Sequence, residues 1–104
     1  MERAKKKRLA TRGWAVGGAR EFLELAENEA AFIELKLALS NHLRKLRAEQ
    51  GLTQGELARR LESSQSRVAK MEAGDASVSL DLLVRSLLAV GTTRRELAKI
   101  IGAR

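Results

Sequence analysis

The chain has no cysteine, no proline and no tyrosine, and it carries one tryptophan, two phenylalanines and one histidine. The absence of cysteine excludes disulfides and thiolate metal sites, and His42, with no second histidine near it, offers no metal-ligand pair. Hydrophobic residues make up 44% of the sequence but aromatics only 3%, so a core must be built from Leu, Ile, Val and Ala, the usual material of packed helices. No apolar run approaches the roughly 20 residues of a membrane span. The basic start runs into "LATRGWAVGG" rather than a continuous apolar stretch, which excludes a secretory signal and predicts a cytoplasmic protein with no membrane partner. Catalytic equipment is also missing. There are serines but no histidine placed to activate one, no glycine-rich phosphate loop, and no neighbour to perturb the acid pairs Glu27/Glu29 or Asp75/Asp81 into an acid/base couple. No enzymatic activity, cofactor or metal is expected.

What is present is positive charge. The formal net charge is +7 and the pI about 10.6, which draws the protein towards polyanions. The charge is zoned: residues 1–20 hold seven Lys/Arg against one Glu, residues 21–35 hold five Glu and no base, and residues 36–104 hold thirteen Lys/Arg against seven acids. At 104 residues the chain suits one core, which at this size buries roughly 60–70% of the unfolded surface. We divide it into a basic tail and arm over 1–35 and a body over 36–104.

The body reads as helices joined by short capped turns. In "AREFLELAENEAAFIELKLALSNHLRKLRAEQ", Phe32, Leu35, Leu39, Leu43 and Leu46 recur at steps of three and four, one apolar stripe on a helix ending near Gly51, with a break near 26–28 left open. Thr53 with Glu56 forms a capping box, and Leu52 with Leu57 stands where a hydrophobic staple belongs, so a helix is predicted from Gln54 to about Leu61. Ser64 caps the next, which carries Val68 and Met71 to the glycine signal at Gly74. Ser79 caps a helix with Leu83, Leu87 and Val90, closed by Gly91. Thr93 with Glu96 repeats the capping box for a last helix bearing Leu97, Ile100 and Ile101. No strand pattern appears, and the predicted class is all-α.

Two short helices joined by about three residues, with Leu57, Leu61, Val68 and Met71 apolar and the small Ala58 at their approach, form a helix-turn-helix pattern. The stretch "LTQGELARRLESSQSRVAKMEAG" resembles the helix-turn-helix of the Xre family, which includes phage repressors and Cro. A glutamine opens each helix, "ELA" lies in the first, and Glu-x-Gly ends the second. The resemblance, covering roughly 36–101, implies a five-helix Cro/phage-repressor-like domain preceded here by an N-terminal helical arm. It also implies that the second helix of the pair enters the major groove of duplex DNA, with Gln65, Ser66, Arg67 and Lys70 in the groove-facing positions. The side-chain chemistry agrees, since Gln can bond adenine twice, Arg can fork onto guanine, and Lys can reach base or phosphate. Gln54 matches the family's phosphate-contacting glutamine, with Thr53 and Ser64 beside the backbone at the two helix starts. The sequence departs from the family at the turn, where glycine is usual at the position of Glu62 and an apolar residue at that of Ser63.

The order of a basic start containing Gly and Trp, an "EFLEL" segment, a Glu-rich stretch and then the helix-turn-helix is similar to HigA-like antitoxins. These pair with a RelE-superfamily toxin, an mRNA-cleaving ribonuclease of the HigB kind, and repress their own operon. On that resemblance Trp14, Phe22, Leu23 and Leu25 are toxin-binding candidates, and the surrounding glutamates would meet a basic partner. An alternative is that "FLEL" packs on the body, and a stand-alone Xre-type regulator without a toxin also fits. A homodimer is expected, because one module reads only a few base pairs. Leu97, Ile100 and Ile101 are its contact candidates.

Overall fold

The computed structural model describes residues 19–103. These form five helices, α1 (Ala19–Glu49), α2 (Gln54–Arg60), α3 (Gln65–Ala73), α4 (Leu80–Ala89) and α5 (Arg94–Gly102), with no strand among the described residues. The all-α, five-helix expectation is borne out. One helix serves where the sequence left a break open: α1 runs through 26–28 without interruption, so residues 19–35 of the arm are the leading part of α1 and not a separate element. By packing the chain divides into two units within this helix, at Glu34 and Leu35.

The helices begin where their capping side chains place them. Thr53 Oγ1 accepts from Glu56 N at 3.1 Å while Glu56 Oε1 accepts from Thr53 N at 2.8 Å, and Thr93 with Glu96 repeats both bonds. Ser64 Oγ accepts from Arg67 N, and Ser79 Oγ from Leu82 N. Each cap satisfies a backbone donor that the helix itself cannot.

Four helix ends share one closure. After α1, α2, α3 and α4 a residue at positive φ reverses the chain, and the amide of the residue after it reaches back to a carbonyl five positions earlier: Leu52 N to Arg47 O, Ser63 N to Ala58 O, Asp75 N to Lys70 O and Thr92 N to Leu87 O. This is the Schellman arrangement, which favours glycine because a Cβ is strained at positive φ. Three of the four reversing residues are Gly51, Gly74 and Gly91; the fourth is Glu62, at φ 54°.

The core of the second unit is aliphatic. Leu39, Leu43, Leu57, Val68, Met71, Leu83 and Leu87 are fully or almost fully buried, joined by Ala58 and Val78, and Leu35, Leu46 and Leu61 pack against them. The predicted α1 stripe is therefore buried from Leu35 to Leu46, but Phe32 is 45% exposed and must be removed from the core assignment. Helical periodicity reports which residues share a face; it does not report where along the helix that face stops being covered.

Leu97 also needs correcting as a contact candidate. It is 8% exposed and belongs to the core, because the capped start of α5 turns that position inward. Ile100 is half-buried against the core, and of the three only Ile101, 52% exposed, presents a substantial apolar surface.

Candidate nucleic-acid interface

Helix α3 has two distinct faces. Val68, Met71 and Glu72 are buried, while Gln65, Ser66, Arg67 and Lys70 are exposed. The spacing explains this: Val68, Met71 and Glu72 stand at i, i+3 and i+4 and so lie on one face, leaving the first turn of α3 and Lys70 to solvent. All four base-reading candidates are thus on the accessible part of one helix. Arg67 and Lys70, with Ser64, Ser66, Ser77, Val78 and Leu82, line a cleft of about 420 Å³. The cleft combines two cations with three hydroxyls, a polyanion-facing chemistry.

The phosphate candidates are placed differently from one another. Thr53 and Ser64 are exposed, yet each uses its side-chain oxygen as a cap, and the Thr53 amide is held by Glu56. The Ser64 hydroxyl also lies 3.3 Å from that of Ser66. Backbone and side-chain donation from Thr53 also holds the Glu56 carboxyl below its ordinary range, as the same pair of bonds from Thr93 does for Glu96. Asp75, after α3, is lowered by the Ser77 hydroxyl and then by the Ser77 amide. Gln54 is half-buried, and its Nε2 donates to Glu72 Oε1 at 3.1 Å.

Glu72 is the residue that sequence reading missed. Its side chain is 3% exposed, and Arg47 meets it with two bonds, Nε to Oε2 at 2.6 Å and Nη2 to Oε1 at 3.0 Å. The remaining Arg47 nitrogen, Nη1, donates to Leu52 O at 2.8 Å. A signal was available, since Glu72 continues the apolar Val68/Met71 face and a charge buried there requires an opposite charge. Its partner, 25 residues away, carries no local mark.

Of the arm candidates, Phe22 is 40% exposed, Leu23 is 61% exposed and Leu25 is half-buried. Trp14 lies outside the described residues. Glu21, Glu24 and Glu27 are exposed on the same segment.

This arrangement defines a helix-turn-helix protein: a short capped helix, a four-residue turn over 61–64, and a second capped helix with one polar face outward. A family model described as a helix-turn-helix domain matches residues 38–100, more than half of the chain, and the protein belongs to that family. The match supports the Xre-like resemblance. Comparison with curated proteins and with solved structures gave no match. Among the described residues, no helix is long and apolar enough to cross a membrane.

Proposed function

We propose that the protein is a sequence-specific DNA-binding transcriptional repressor that inserts α3 into the major groove. The observation that carries this is the outward display of Gln65, Ser66, Arg67 and Lys70 on a helix whose opposite face is locked into the core. Their side chains match the donor and acceptor patterns of base edges, and the chain's +7 charge supplies attraction to the backbone. Two copies would read half-sites about one helical turn, roughly 34 Å, apart, meeting through Ile101 and the outer edge of Ile100. The role requires no catalysis and no cofactor. Selection of duplexes from a randomised pool tests it, followed by Arg67→Ala on the selected site. That variant should lose about 1–3 kcal/mol and relax preference at one base pair. Equal losses on selected and scrambled duplexes would reduce Arg67 to a phosphate contact.

A second role, as the antitoxin of a two-protein module, is favoured by the exposed Phe22 and Leu23 on a segment with exposed glutamates. Apolar anchors rimmed by acids suit a basic RelE-superfamily toxin. Co-expression with the product of the neighbouring gene tests this role: Phe22→Ala and Leu23→Ala should weaken the complex while leaving DNA binding intact. If no adjacent ribonuclease-like protein binds, the stand-alone regulator is the correct description.

A further inference from the structure

Gln54 and Glu72 lie 18 residues apart, yet they share a hydrogen bond. Arg47 already meets both oxygens of the Glu72 carboxylate, so the charge is compensated without Gln54. The third bond therefore does little for Glu72 and a good deal for Gln54. A glutamine amide has nearly the same shape either way round, and only its hydrogen-bond partners decide whether nitrogen or oxygen faces a given direction. A carboxylate accepts and cannot donate, so Glu72 turns the nitrogen of Gln54 towards itself. One of the two amide hydrogens is then used, and among the described residues no acceptor takes the other.

We propose that Glu72 is a positioning residue for DNA binding: held by Arg47 at the end of α3, it fixes the Gln54 carboxamide so that its second N–H is ready for a backbone phosphate. This rests on reading Gln54 as a phosphate contact. A free glutamine side chain loses rotamer freedom when it is ordered, and Glu72 removes part of that loss before DNA arrives. The same carboxylate joins the last turn of the groove-entering helix to the start of the helix before it. A phosphate bound at Gln54 is thereby held in register with base contacts from α3.

The test is a cycle on the full chain with the fluorescently labelled duplex selected by the wild-type protein. Gln54→Ala should weaken binding about five- to tenfold, the worth of one good hydrogen bond. In an Arg47→Met/Glu72→Met background, which removes acceptor and buried cation together, adding Gln54→Ala should weaken binding by less than about twofold. Glu72→Gln keeps a carbonyl to accept the Gln54 N–H, and in that background the loss from Gln54→Ala should return towards the wild-type value. Far-UV melts of every variant read stability separately, and a purely structural Glu72 would move these melts while leaving the Gln54→Ala loss the same in all backgrounds. That equality overturns the proposal. A silent Gln54→Ala also overturns it while leaving DNA binding intact, and failure of the wild-type chain to bind any duplex removes both readings.

Discussion

Replacing Glu62 by glycine relieves the only non-glycine residue at positive φ among the described residues. Glu62 closes α2 in the same backbone geometry that Gly51, Gly74 and Gly91 adopt elsewhere, with Glu62 N donating to Arg59 O at 3.2 Å and Ser63 N to Ala58 O at 2.8 Å. A side chain in the left-handed region costs about 1–2 kcal/mol, and glycine returns about 0.5–1 kcal/mol of that through the greater freedom of its unfolded chain. The net expectation for Glu62→Gly is a gain of about 0.5–1 kcal/mol, which raises Tm by about 2–8 °C for a domain of this size. Thermal melts followed by far-UV circular dichroism measure it. Glu62→Ala is the decisive companion: it removes the carboxylate but keeps the Cβ, so it should give little of the gain. If alanine stabilises as much as glycine, the effect belongs to the side chain and its charge, and the strain reasoning is wrong. If glycine destabilises, the exposed Glu62 side chain makes a contribution that the backbone geometry does not reveal.

The remaining predictions probe the same closures and caps. Gly74→Ala should destabilise by about 1–3 kcal/mol in urea titrations, because φ is +68° there and a Cβ would sit 2.5 Å from Leu37 Cδ2. Ser40 is 1% exposed, and its hydroxyl is buried without a partner; Ser40→Ala should therefore stabilise by about 1 kcal/mol, and a loss instead would show that the hydroxyl is bonded in solution. Glu56, Glu96 and Asp75 are held below their ordinary carboxyl range in the folded state. They support folding at neutral pH, and that support is lost as pH falls below the ordinary carboxyl range and through their lowered values. Glu56→Gln/Glu96→Gln should flatten the stability profile across this acid limb, and an unchanged profile would place the acid sensitivity elsewhere.

Local chemistry made most of the fold legible in advance. Thr53, Ser64, Ser79 and Thr93 each start a helix at the next residue, and Gly51, Gly74 and Gly91 each follow a helix end, because caps and left-handed reversals are written within four or five positions of sequence. The left-handed Glu62 was foreseeable only through the family pattern, since nothing about a glutamate advertises positive φ. Features that depend on distant neighbours were not legible. Phe32 has the right period for the core but falls beyond the covered length of α1, and Leu97 looks like a surface residue of a short amphipathic helix until the core of the second unit receives it. The Arg47–Glu72–Gln54 cluster needs three segments brought together, and no spacing rule links positions 47, 54 and 72. Of the candidate base-reading side chains, the sequence already named Gln65, Ser66, Arg67 and Lys70, and the structure places all four on the exposed part of α3.

The aliphatic core also determines how this protein can be watched. The chain's three aromatic rings are Trp14, Phe22 and Phe32, and among the described residues the buried cluster consists of Leu, Val, Met and Ala side chains alone. Melting of that cluster therefore has no ring of its own to report it and is followed through backbone ellipticity. A single tryptophan introduced at a surface position of α3, read against Trp14→Phe, would then report DNA contact against a dark background.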